Sequence, residues 1–179
     1  MQLGVTNYLL KPFTFAAFRS KLEQYAEFRA RLENAPGDVV QDDVDQLFGI
    51  RLALELHAVR TTFPLSPAPD GLRLAALQGH LDQMRRAEED GDELTKDDAH
   101  RAFHAEVVAL AGNRQLDLAL EPVLLKLQRP MALNLRREAH AVGPEPGLAR
   151  HQALVDAIRA NDRDAVVHQL VHHGSTRFL

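Results

Sequence analysis

Residues Asp97–Asn113 read DDAHRAFHAEVVALAGN, and this stretch decides the fold class. Phe103, Val107, Val108 and Leu110 recur at helical spacing, so they form one stripe of a helix expected over about Thr95–Ala111. Gly112-Asn113 then ends it, with glycine taking the left-handed turn that closes many helices. His100 and His104 stand four apart on a single face, one above the other. Two imidazoles at that spacing can grip one transition-metal ion. The chain has nine histidines, so the pair acquires meaning only from its surroundings.

Composition narrows those surroundings. A length of 179 residues suits one domain, or one domain and a fragment. Hydrophobic residues at 45% allow a real core, and the abundance of Ala, Leu, Arg and Glu favours helices. Cysteine is absent, which excludes disulfides, thiolate catalysis and thiolate zinc sites. Any metal must therefore be held by His, Asp or Glu. The net charge of −4 gives no basic footprint for nucleic acid over the whole length. No apolar run approaches the ~20 residues that span a bilayer, and no signal peptide is visible. The expectation is a cytoplasmic protein with no membrane contact.

Working outward from the central helix, the pattern stays helical. A leucine-rich segment follows over 114–139, with Pro122 and Pro130 expected to kink or split it. A helix over 72–89 precedes it, buried through Leu74, Leu77, Leu81 and Met84, and ends in the solvated run RRAEEDGDE. Asp42-Asp43 can cap an earlier helix to about Thr61, with Val44, Phe48, Leu52 and Val59 inward. Beyond the loop at 142–147, two helices are expected over 148–160 and 163–174, the second capped by Asp162. No stretch alternates with period two. The fold class is therefore all-α, an antiparallel helical bundle of about six helices over residues 43–179. No glycine-rich phosphate loop and no Gly-x-Ser-x-Gly elbow is present.

The first residues differ. Val5–Leu10 suggests a short strand, and Thr14 can cap a helix over about 15–33. One strand and one helix cannot bury both their faces alone. The words GVTNYLLKPF, followed by a helix containing EQYAEFRARL, resemble the last strand and helix of a response-regulator receiver domain. They are most similar to receivers of citrate- and dicarboxylate-responsive regulators. That resemblance implies a phosphoryl-contacting role for Lys11 and a switch role for Tyr8. The strands that carry a receiver's phosphoacceptor Asp do not precede them. Residues 1–34 are thus expected to be a passive receiver remnant without a phosphoacceptor, joined by a linker at 35–42 with Pro36 and Gly37.

Four candidate metal ligands emerge from the helical part: His100 and His104, His151 on the next-to-last helix, and His173 on the last. Each lies on a face that also carries apolar residues. A buried imidazole needs partners, and a shared ion supplies them for all four. The surrounding words LFGIRLALE, RAFHAEVVALAGN and RHQALVDAIRANDRDAVVHQLVHH resemble, in order and spacing, the ligand-sensing C-terminal (FCD) domain of the FadR subfamily of GntR transcription regulators. The resemblance covers about 43–174. It implies an Asp and three His around a divalent ion inside a bundle, the three being His104, His151 and His173. The Asp position holds His100 here. A His there can still ligate, which costs a negative charge and turns the site toward zinc or nickel; alternatively the fourth ligand is lost, or Asp97 one turn back partly replaces it. His172 is the neighbour that the family register passes over.

The resemblance also implies a small organic acid as effector, gripped by Arg51, whose guanidinium suits a carboxylate. The competing reading of Arg51 is an ion pair with Glu55 one turn on. The expected function is effector sensing for transcription, not catalysis, with a possible homodimer. No direct DNA binding is expected from this chain, since what precedes the domain resembles a receiver rather than a winged helix. Two alternatives stand beside it. One is a metal-dependent hydrolase or lyase using Glu106 or Asp98 as base, and the other is a non-functional fusion fragment.

Overall fold

Six helices follow one another in the computed structural model, which describes residues 37–66 and 71–175. They are α1 (Gly37–Thr62), α2 (Gly71–Asp90), α3 (Glu93–Ala109), α4 (Arg114–Val142), α5 (Glu145–Arg159) and α6 (Arg163–Ser175). No strand occurs among the described residues. The expected all-α bundle is the fold. The strand and helix expected over residues 5–33, with Tyr8 and Lys11, lie outside the described residues.

Local chemistry sets the boundaries. Asp92 caps α3 by accepting from the Thr95 backbone N–H at 3.1 Å and from its hydroxyl at 2.6 Å. Asn113 caps α4 through Gln115 N–H at 3.0 Å. Gly112 before it sits at φ +61°, a conformation that only glycine takes cheaply. Asp162 caps α6, accepting from the N–H groups of Asp164 and Ala165 at 3.0 Å each. Asn161 reaches back to the loop after α1. It accepts from Leu65 N–H at 2.8 Å and donates to the Leu65 carbonyl at 3.0 Å.

Two boundaries depart from expectation. α1 begins at Gly37, so Asp42-Asp43 lies inside the helix. α4 runs unbroken through Pro122 and Pro130. Each proline leaves the carbonyl four residues earlier, on Leu118 and Lys126, without its helical donor. Both residues are exposed, as is Pro122, so water can take the place of the missing N–H groups.

The core has two apolar clusters. One joins α2, α3, α5 and α6 with the end of α1, through Leu77, Leu81, Phe103, Leu154, Ile158 and Leu170. The other joins α1 and α4 through Phe48, Ala58, Leu120, Leu124 and Leu127, with Val108 from α3. Among the described residues, only α1 and α3 contribute buried residues to both clusters.

Candidate metal centre

The buried stripe of α3 contains Ala99, His100, Phe103, His104 and Val107. The two histidines therefore enter the interior with the apolar residues that anchor the helix. α5 presents His151 beside Leu154, Val155 and Ile158. α6 buries Val166 and Leu170 and turns the half-buried His173 the same way, three residues on. All four imidazoles meet, with their candidate donor atoms within 4.8 Å of one another. His104 Nε2 lies 3.1 Å from His100 Nε2 and 3.2 Å from His173 Nε2. His151 packs edge-on to His173, ring centres 4.5 Å apart.

The other ring nitrogens set the tautomers. His151 Nδ1 donates to the Gly147 carbonyl at 2.7 Å, so Nε2 carries the lone pair, and that atom is buried without a hydrogen-bond partner. His104 Nδ1 lies 2.7 Å from Glu55 Oε1. Against an ionised Glu55, Nδ1 is the donor and Nε2 again carries the lone pair. One in-plane lone pair accepts one N–H, yet two further Nε2 atoms crowd it. Hydrogen bonds cannot satisfy this set. A divalent ion can, because it accepts lone pairs from every ring. With metal–nitrogen bonds of about 2.0–2.1 Å, neighbouring donors sit about 3.0 Å apart in an octahedron and about 3.4 Å in a tetrahedron. The two contacts of His104 fall between these values, so these two pairs have the spacing of ligands, and the set, within 4.8 Å, must draw in slightly to close on one ion.

Electrostatics favours neutral imidazoles. Burial, first, and then neighbouring positive charge lower the pKa of His100, His104 and His173 well below the ordinary value, and burial lowers His151 to about 4. Neutral imidazole is the form that ligates. Burial also raises the Glu55 carboxyl to about 7, against the pull of Arg51 and His151.

Arg51 is 3% exposed and lies in the buried stripe of α1 with Val44, Phe48 and Glu55. Its Nε is 3.6 Å from Glu55 Oε1, and its guanidinium lies over the Phe48 ring at 5.2 Å. Arg51, Glu55 and His104 thus form a buried chain ending at the imidazoles. Asp97 stands apart from the cluster, accepting from Arg136 at 2.7 Å. His172 faces solvent while His173 turns in. Asp98 is exposed and pairs with Arg101 at 3.7 Å. Glu106 follows His104 by two residues, which puts it about 200° around the helix. Neither belongs to the four-histidine group.

Sequence reasoning missed two supports. Glu55 as the partner of His104 was signalled only by a charged pair, Arg51 and Glu55, inside an apolar stripe. The Gly147 carbonyl had no side-chain signal at all. Beside it, Glu138 is buried and held by Arg150 at 2.5 and 2.6 Å. A cavity of about 20 Å³ adjoins this pair, lined by Met84, Glu88, Lys96, Glu138, Gly147 and His151 among others. Lys96 is buried there in an ion pair with Glu88.

A family model described as the FCD domain matches residues 46–176. The chain is 32% identical over 89 residues to the transcriptional regulatory protein CitT of Bacillus subtilis (strain 168), covering 50% of this chain and 36% of that protein. Among solved structures it is similar to E. coli McbR/YncC, with a TM-score of 0.58 at 18% identity over 77% of this chain and 65% of that one. It is also similar to a protein described as a GntR transcriptional regulator from Rhodococcus sp. RHA1, with a TM-score of 0.61 at 16% identity, over 90% and 82% of the two chains. The chain therefore spans about a third of CitT and about two thirds of McbR/YncC. No helix among the described residues is long and apolar enough to cross a membrane. With the FCD model covering most of its length, the chain belongs to the FCD domain family.

Proposed function

We propose that this domain senses a small organic acid through a divalent ion, zinc or nickel, held by His100, His104, His151 and His173. The observation that carries the reading is the crowding of three Nε2 atoms, which no pattern of hydrogen bonds satisfies. The ion supplies a positive centre with coordination positions that the imidazoles leave open. Glu55 and the Gly147 carbonyl hold the Nδ1 protons of His104 and His151, and so keep the lone pairs aimed inward. Arg51 stands behind Glu55, placed to exchange that partner for an incoming carboxylate.

The cavity beside His151 has room for about one water molecule. An acid of several carbon atoms must displace side chains to reach the ion. Effector binding therefore repacks helices, and that repacking is the output a regulator passes on. Catalysis has no support at the site. The carboxylate that touches the cluster, Glu55, bonds to the back of a ligand.

The test is metal analysis after desalting in zinc or nickel buffer. One equivalent should be retained, and His104→Ala should lose it. Retention of less than roughly a tenth of an equivalent by the unaltered protein removes the metal. A thermal-shift screen of small organic acids, with and without metal, then tests the effector. A ligand that binds the folded state raises the midpoint by mass action, and here only in the presence of metal.

A further inference from the structure

We propose a second divalent-metal site on the outer face of α6, formed by His168 and His172. Both side chains are exposed and stand four residues apart. Their ring centres are 3.9 Å apart with planes tilted by 32°. His172 Nδ1 lies 2.9 Å from the His168 carbonyl oxygen, which accepts its proton. The lone pair is therefore on Nε2, at the far edge of the ring. The same device, an Nδ1–H bonded to the carbonyl four residues earlier, sets the tautomer of His151 through Gly147 in the interior. Neighbouring imidazoles on successive turns of a helix need only small rotations about exposed side-chain bonds to bring both outer nitrogens to one ion.

The chemistry selects the ion. Two imidazoles with no carboxylate suit copper, nickel or zinc and do not suit magnesium or calcium. Water completes the coordination, so this site is weaker than the interior one. It is also placed to matter there. α6 is 13 residues long, and His173 directly follows His172. Short helices fray at their last turn. An ion bridging residues 168 and 172 clamps the turn that leads into His173, so filling the outer site favours the conformation that presents the interior ligand.

Calorimetric titration of the metal-free protein with nickel alone tests this. The unaltered protein should show a tight and a weak site, and magnesium should show neither. His168→Ala and His172→Ala, at exposed positions, should keep the tight site and weaken the other about tenfold or more. Loss of even an outer partner of a ligand commonly costs about 10–100-fold. His104→Ala should do the reverse, losing the tight site and keeping the weak one. A weak site that survives both outer substitutions unchanged, or a tight site alone in the unaltered protein, overturns the proposal. A weak site without a tight one leaves it standing while removing the interior ion.

Discussion

Replacing Glu55 with glutamine keeps an oxygen facing His104 Nδ1 and removes one buried charge. Burial raises the Glu55 carboxyl to about 7. In the metal-free protein it is then about 90% ionised at pH 8 and about 10% ionised at pH 6. Loading a dication on the far side of His104 draws on the ionised form, so below pH 7 the native protein must also release a proton. That release weakens binding by a factor of 1 + 10^(7 − pH), about 1.1 at pH 8 and about 11 at pH 6. Loss of a carboxylate behind a ligand typically costs about 10–100-fold, or about 1.4–2.7 kcal/mol. The Glu55→Gln variant should therefore bind zinc about 10–100-fold more weakly at pH 8. The gap should close about tenfold by pH 6, where the native carboxyl is itself mostly protonated. Protonation of the ligand histidines is common to both proteins and cancels in the ratio. Competition against a zinc-chelating dye across this range measures it. A ratio near one at pH 8, or one that stays constant down to pH 6, refutes the role given to Glu55.

Phe103 is fully buried, its ring 5.0 Å from that of His151, and Phe103→Ala should cost about 3–5 kcal/mol in urea unfolding while also loosening metal binding. Arg150→Ala leaves the Glu138 carboxylate buried and unpaired; a loss of about 3 kcal/mol is expected, the low end for a broken buried pair because Arg150 keeps some solvent. The metal-free protein should lose stability in acid. Its buried histidines have folded pKa values below the unfolded ~6.5, so the unfolded chain takes up protons first as pH falls. For His151 the loss grows from pH 6.5 to about 4 and reaches about 3 kcal/mol. Glu55 opposes this by a similar amount between pH 7 and 4.5, but four histidines outweigh one carboxyl. Urea midpoints that rise, or stay level, between pH 7 and 5 contradict the burial of neutral imidazoles.

The helices were legible because their apolar residues repeat with the helical period, and because Asp162, Asn113 and Gly112 punctuate them with side-chain and backbone chemistry. The convergence of His100, His104, His151 and His173 was legible only in part. Each histidine shares a face with residues that must go inward, but spacing along the chain does not say which faces meet. The choice of His173 over His172 came from the family register, and in the structure His172 is exposed while His173 is half-buried. Whether Pro122 and Pro130 kink α4 or split it was not legible, because a proline's cost depends on whether the orphaned carbonyl meets solvent, which the pattern does not record; α4 is not split. Nothing in residue identity pointed to the Gly147 carbonyl, since every residue has one.

The bond between Glu55 and His104 ties α1 to α3 near the middle of the bundle. α1 is a rod of 26 residues, and a helix rises about 1.5 Å per residue. Val44 therefore lies about 16 Å along the axis from this pivot. A tilt of about 5° there swings the rod near Val44 by about 1.4 Å, on the scale at which packed side chains must exchange one interlocking for another. Any tilt of α1 about this bond is thus multiplied with distance along the rod.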